Sequence, residues 1–191
     1  MQIILDVSEF QSVAQLDRLL HNADDEIVGV YIKGTQGLTY RDSLATAFAQ
    51  CCQSHNTAFG YYDFMTNDQA DEQETYFKAF TTRVPRASLI PLLDCEGGYD
   101  KGALGVQHWQ AANGGKVAVY AQLSNMPQYA GLTIPKIVAQ YDESGTYYRP
   151  SQAEIDAYRQ QGFTAWQFTD SYAGLNQDAS VMLGDFAELK A

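Results

Sequence analysis

The chain predicts an α/β fold: an irregular TIM-like (β/α) barrel with eight strands and fewer than eight helices. Three observations carry that expectation. Strand-like and helix-like patterns alternate from the start of the chain, as βαβ units do. Its later part supplies further strands with fewer helices between them. Polar residues recur at the carboxy-terminal strand ends, where such barrels build their sites: Asp6, Lys33, Asp63, Asp94, Glu96, Gln140, Asp142, Gln167 and Asp170. An open, doubly wound sheet is the competing architecture.

Gln2–Val7 reads as the first strand, ending near Asp6. Val13, Leu16, Leu19 and Leu20 then recur at helical spacing. Ile27–Lys33 is the second strand, closed by Gly34 and Gly37. Asp42–His55 reads as a helix with Asp42 at its N-cap. Ala58–Phe64 is the third strand, and a helix follows from about Asn67 to Arg83 with Tyr76, Phe77 and Phe80 inward. Leu89–Glu96 is the fourth strand, Leu104–Ala112 a helix stopped by Asn113-Gly114-Gly115, and Lys116–Gln122 the fifth strand. Ile134–Tyr141 is a sixth strand with no clear helix before it. Ser151–Gln161 is a helix opened by a capping box of Ser151 and Glu154. Strands at Phe163–Phe168 and near Gln177–Met182 complete the set. With no linker, low-complexity tract or solenoid repeat, residues 1–191 are expected to form a single domain.

The fourth strand organises the rest. Leu89-Ile90-Pro91-Leu92-Leu93-Asp94-Cys95-Glu96 is apolar until it ends in two carboxylates, and it breaks at Gly97-Gly98. Period-two alternation puts Ile90, Leu92, Asp94 and Glu96 on one face, and Leu89, Pro91, Leu93 and Cys95 on the other. Neighbouring carboxylates are costly to bury, so this strand end is expected to open onto a wet cleft. The rise per residue sets Asp94 and Glu96 roughly 6.5–7 Å apart at the backbone. Paired carboxylates that cut glycosidic bonds stand in that range, and a spacing taken at the backbone does not choose between the retaining and inverting arrangements. By itself the same short pattern also describes an acidic strand end that is merely solvated.

Composition narrows the function classes. The chain is 46% hydrophobic and 13% aromatic, so it can bury a substantial core. Its 12 Lys and Arg against 23 Asp and Glu give a net charge of −11 with no basic run, which argues against nucleic acid and anionic membranes as partners. The 13 tyrosines supply flat apolar faces with polar tips, suited to a sugar cleft as well as to packing. Cys51 and Cys52 continue an apolar helical stripe with Leu44, Ala47 and Phe48, and an odd cysteine is left at Cys95, so no disulfide framework is expected. His21, His55 and His108 are scattered and show no zinc spacing, so neither a metal nor another cofactor is expected. The N-terminus enters Ile3-Ile4-Leu5-Asp6 without the pattern of a secretory signal, and no apolar run approaches the ~18 residues of a membrane span. These features predict a protein made in the cytoplasm.

The strand ends also form a series. Asp6-Val7-Ser8-Glu9-Phe10-Gln11 fits D-x-S-x-[WF]-Q. Tyr31-Ile32-Lys33-Gly34-Thr35-Gln36-Gly37, with Tyr40 and Asp42 behind it, is close to I-K-A-T-E-G. Gly60-Tyr61-Tyr62-Asp63-Phe64 is close to G-x-Y-H-F, and Pro91-Leu92-Leu93-Asp94-Cys95-Glu96 fits P-x-L-D-x-E. Val138-Ala139-Gln140-Tyr141 is similar to W-x-A-Q-Y, Ala165-Trp166-Gln167-Phe168 fits W-Q-[YF], and Asp178 stands near a closing D-x-N. In this order, over nearly the whole chain, the motifs resemble glycoside hydrolase family 25, the muramidase-type lysozymes common in phage endolysins. Departures are Gln36 for a usual Glu, Asp63 for a usual His, and Ile137 where a Trp is common. Tyr120-Ala121-Gln122 also stands in place of small hydroxyl residues.

The resemblance implies hydrolysis of the β-1,4 bond between N-acetylmuramic acid and N-acetylglucosamine in peptidoglycan. It implies Glu96 as the general acid, with a raised pKa, and Asp94 as the ionised partner that stabilises an oxocarbenium-like state or orients the substrate's acetamido group. Asp6 and Asp178 would complete an acidic ring. Tyr62, Tyr120, Tyr141 and Trp166 are candidates for sugar stacking and hydroxyl contacts, with core packing as the other reading of each. Lys33 is either a substrate contact or, the preferred reading, the ion-pair partner of a ring aspartate. One catalytic domain acting as a monomer, without a separate wall-binding module, would reach the cell wall by release or another export route. An inactive relative that only holds peptidoglycan or chitin is the alternative, and the retained Asp94 and Glu96 argue against it. A chitinase of the D-x-x-D-x-D-x-E type is excluded, because its outer aspartates would fall on Leu89 and Leu92.

Overall fold

The computed structural model describes residues 1–141 and 146–191, so Asp142 lies outside the described residues. The elements in order are β1 (Gln2–Val7), α1 (Val13–Asn22), β2 (Glu26–Gln36), β3 (Tyr40–Arg41), α2 (Ala45–Ser54), β4 (Ala58–Phe64) and α3 (Ala70–Thr81). They continue with β5 (Leu92–Asp94), α4 (Gly102–Asn113), β6 (Ala118–Gln122), β7 (Lys136–Ala139), α5 (Gln152–Gln160), β8 (Ala165–Thr169) and β9 (Asp178–Met182). Local chemistry sets several boundaries. Ser12 caps α1 by accepting from the Gln15 amide, Ser151 and Glu154 form the expected capping box on α5, and Gly114 ends α4 at a left-handed φ of 72°.

Parallel pairing runs β1–β2–β4–β5–β6–β7–β8, and β9 fits antiparallel between β8 and β1. The β1–β2 pairing closes the sheet, which rules out the open doubly wound alternative. The result is an eight-stranded mixed barrel with five α-helices among the described residues. As expected, no α-helix precedes β7; only a 3-10 turn at Met126–Tyr129 lies there. The two-residue β3, which folds back antiparallel on the end of β2, was not expected.

Two apolar layers hold the barrel. Ile4, Tyr31, Ile90, Leu92, Ala118, Ile137 and Ala165 fill the inside, while Ile3, Leu5, Phe48, Phe59, Phe77 and Trp109 pack between strands and helices. Each Ile, Leu and Phe among them contributes about 1.5–3 kcal/mol on full burial. Leu89 and Leu189 plug the bottom, where the Ile90 amide donates to the Leu189 carbonyl at 2.9 Å. Gly60 faces this interior tightly: a Cβ there would lie 2.7 Å from Tyr31 Cε1 and 2.9 Å from Leu89 Cβ.

Several expectations are corrected. The strand expected over Leu89–Glu96 is hydrogen-bonded as β5 only from Leu92 to Asp94, because Pro91 has no amide to donate and the chain turns away at Gly97. Leu93 and Cys95 do pack outward, but Leu89 turns inward into the bottom plug. Tyr76 is only half-buried, under the Arg41 guanidinium at 4.5 Å, while Phe77 and Phe80 are buried as expected. Asp42 accepts from the amide of Leu44 rather than capping a helix that starts beside it, and its other oxygen accepts from the Glu9 amide. No helix among the described residues is long and apolar enough to cross a membrane.

Candidate active site

A cleft with a volume of about 310 Å³ opens at the carboxy-terminal ends of the parallel strands. Asp6 ends the inward face of β1, as Asp94 ends that of β5, where it stands in register between Phe64 of β4 and Tyr120 of β6. Glu96 follows on the same face just past β5. The turn behind it needs Gly97, which has φ +61° and whose missing Cβ would meet Phe64 Cζ at 3.0 Å. Asp178 reaches this rim because β9 runs antiparallel, so its first residue lies level with the last residues of its neighbours. Asp6 and Asp178 are direct cross-strand partners.

Gln177 fixes that pair from behind. Its side chain is fully buried and donates to the carbonyls of Asp6 at 2.7 Å and Asp178 at 3.0 Å. The carboxyl groups of both residues line the cleft with Asp94, Glu96, Lys33, Tyr62, Phe64 and Gln167.

Burial raises all four acids, and repulsion by neighbouring carboxylates adds to it at Asp6, Asp94 and Asp178. Asp6 is pushed well above the usual range by burial, then by Asp178 and Glu96. Burial and then Glu96 do the same to Asp94, whose Oδ1 is buried and accepts no hydrogen bond among the described residues. Burial raises Glu96, with Lys33 and the Tyr120 hydroxyl pulling the other way. Asp178 is raised to about 7 by burial, Asp170 and Glu96. Such a cluster does not ionise as four independent carboxylates; it retains protons toward neutral pH. Tyr62 and Tyr120 are themselves held protonated by burial and by these acids, so their hydroxyls are neutral donors.

The model for glycosyl hydrolases family 25 matches residues 5–175. The chain belongs to this family. This family 25 fold is similar to a family 25 glycosyl hydrolase from Bacillus anthracis, with 18% identity over 98% of this chain and 91% of that one and a TM-score of 0.68. It is similar to the spore cortex lytic enzyme SleM of Clostridium perfringens at 18% identity, covering 99% of this chain and 69% of that one, with a TM-score of 0.70. The catalytic domain of endolysin ply40, from bacteriophage P40 of Listeria monocytogenes, gives 17% identity, 98% and 95% coverage and a TM-score of 0.70. At these identities the likeness is one of fold. No curated protein matches the chain. As a family 25 member, the chain is a glycoside hydrolase.

Most of the expected site residues of this family 25 chain meet in the cleft. Asp6, Asp94, Glu96, Asp178, Tyr62, Tyr120 and Lys33 line it together. Asp178 lies past the matched span and is brought in by barrel closure alone. Tyr141 lines an adjoining pocket that shares Glu96 and Tyr120, so the groove continues from the acids toward β7.

Two readings change. Trp166 does not face the acids. It points to the outer layer, stacks on Tyr158 of α5 at 4.1 Å and donates to the Gln140 carbonyl, while its neighbours Ala165 and Gln167 face in. Lys33 is not ion-paired: no carboxylate oxygen lies within 4.0 Å of its ammonium among the described residues. It donates instead to Gln36 Oε1 at 2.8 Å and sits over the Phe64 ring at 4.8 Å. The Gln36 departure thus leaves a neutral acceptor on Lys33 where a Glu would neutralise it. Asp63, another departure, turns outward into the barrel–helix layer, where it accepts from Thr35 and Trp109.

Other residues complete the site. Phe10 stands 77% exposed at the mouth, a free aromatic face legible in the D-x-S-x-[WF]-Q motif. Gln167, which accepts from the Tyr120 hydroxyl, follows from the alternation of β8. Gln177 carried no sequence signal.

Proposed function

We propose that this glycoside hydrolase is a muramidase that hydrolyses the β-1,4 bond between N-acetylmuramic acid and N-acetylglucosamine in peptidoglycan. The observation that carries the reading is the convergence of Asp6, Asp94, Glu96 and Asp178 on one groove lined by aromatic rings. The Asp94–Glu96 pair shares one proton over the working range, since two like charges in so buried a place do not form together. Glu96, the more open of the two, gives that proton to the leaving oxygen as the glycosidic C–O bond breaks. The carboxylates of Asp94 and Glu96 then face the positive charge that develops on the sugar, and that charge offsets their repulsion. Water then adds to the anomeric carbon and its proton returns to Glu96, so the enzyme is regenerated. Asp6 and Asp178, whose carboxyls burial keeps protonated on the acidic side, line the groove as neutral hydrogen-bonding groups. Tyr62, Tyr120 and Tyr141 hold sugar hydroxyls, Phe10 offers a stacking face, and Lys33 contacts the substrate while favouring the charged forms of Asp94 and Glu96.

The partner in this reading is a peptidoglycan glycan strand, bound by one chain as a monomer, and the enzyme acts at the cell wall once it has left the cytoplasm. A digest of purified peptidoglycan, with mass analysis of the new ends, tests it. New reducing ends on N-acetylmuramic acid are expected. Ends on N-acetylglucosamine alone, or cleaved peptides alone, overturn it.

A further inference from the structure

Asp17 and His21 are four residues apart on α1, and Cys51 and His55 are four apart at the end of α2, so each pair shares a helical face. The two helices pack against each other on the outside of the barrel, away from the acidic cleft. Asp17 Oδ1 lies 2.8 Å from His55 Nε2, and the ligand atoms of Asp17, Cys51 and His55 all lie within 4.8 Å of one another. The rings of His21 and His55 meet edge-on with centroids 6.3 Å apart. A thiol, an imidazole and a carboxylate are a donor set that suits zinc. Zinc bonds of about 2.0–2.3 Å put tetrahedral ligand atoms roughly 3.2–3.8 Å apart, so small side-chain rotations bring the trio onto one ion. Asp17 and His21 are exposed and have room to turn.

We propose that Asp17, Cys51 and His55, with His21 as fourth ligand, form a zinc site that staples α1 to α2. The two halves come from separate helices, so no contiguous zinc spacing marks it in the sequence. The site closes on four protein ligands and leaves no open position for substrate; its role is structural.

The whole chain, stripped with a chelator and titrated with cobalt(II) as the probe, tests this. One equivalent is expected to bind with a thiolate-to-cobalt charge-transfer band and tetrahedral visible bands that zinc(II) abolishes. Zinc(II) alone is expected to raise the unfolding temperature. Cys51→Ser should lose the charge-transfer band, and His55→Gln, Asp17→Asn and His21→Gln should each weaken binding about 10-fold or more. Asp94→Asn should leave the band unchanged, which separates the site from any cation held by the acidic cleft. Absence of the band with cobalt in large excess overturns the proposal. So does a band that survives Cys51→Ser, or binding that is equally tight in the surface variant His55→Gln.

Discussion

Asp6 of β1 and Asp178 of β9 stand directly opposite each other across an antiparallel pair. Facing like charges on adjacent strands are destabilising, and here they are kept by the Gln177 clamp on both backbones. The stability of the fold should therefore depend on pH in an uncommon direction. Asp178 and the buried Asp63 are each raised from 3.8 to about 7, mainly by burial. Between those values the folded chain holds protons that the unfolded chain has lost. That contribution is fully present below about pH 4 and is lost as pH rises through about 7. For Asp63 alone it is on the order of 4 kcal/mol, from about three units at 1.36 kcal/mol each. Urea unfolding at several pH values should show stability falling from pH 4 to 7, with a flatter profile in Asp63→Asn and in Asp178→Asn. Equal slopes in wild type and both variants would show that these groups are not buried as described.

Glu96→Gln is nearly isosteric and removes only the proton to be donated. It should keep the wild-type unfolding temperature or slightly raise it, because a burial-raised acid is gone. Activity on peptidoglycan should fall by about 10²–10⁴-fold. Asp94→Asn should fold and be strongly impaired as well. A folded Glu96→Gln protein with near-normal turnover would remove Glu96 from the acid role.

Gly60→Ala tests the inner layer. The added methyl would sit 2.7 Å from the Tyr31 ring, whose hydroxyl is tied to the Ile90 carbonyl, and 2.9 Å from Leu89 Cβ. Neither neighbour has space to retreat inside a filled barrel. A loss of about 1–3 kcal/mol is expected, or roughly 2–4 °C per kcal/mol for a chain of this size. An unchanged melting temperature would mean that the bottom of the barrel is looser than this packing implies.

The same residues show what was legible in the sequence. Period-two alternation was enough to set Asp94 and Glu96 on the cleft face and Leu93 and Cys95 on the other, since a short buried strand leaves its side chains no third direction. The same rule, applied to Ala165-Trp166-Gln167, turns Trp166 outward, a matter of strand register that a motif match does not carry. Asp178 was legible only as a weak motif, because its place depends on β9 running antiparallel, which barrel closure decides. The Lys33 contact was not legible. The β2–β4 register shifts between Lys33 and Thr35, and a long side chain near such an irregularity takes the nearest acceptor, here Gln36. The Asp17–Cys51–His55 group was hidden for a similar reason: each helix carries half of it.

The activity profile against pH joins these observations to the chemistry. Hydrolysis needs one proton on the Asp94–Glu96 pair: activity rises as the first proton leaves and falls as the second leaves. Burial raises both acids, Glu96 further raises Asp94, and Lys33 lowers both. A bell in kcat/KM is expected, with both limbs displaced upward from the ordinary carboxyl range of about 4 because burial raises both acids. Asp94→Asn removes a repelling charge, so the upper limb on its residual activity should move down. Lys33→Met removes the cation that favours both carboxylates, and since Lys33 has no carboxylate of its own to release, both limbs should move up together. A soluble muropeptide substrate is required, because the charge of whole walls also varies with pH. If Lys33→Met left the limbs in place while lowering activity, Lys33 would be a substrate contact alone. A wild-type profile still rising through about pH 8 would exclude a carboxylic acid as the proton donor.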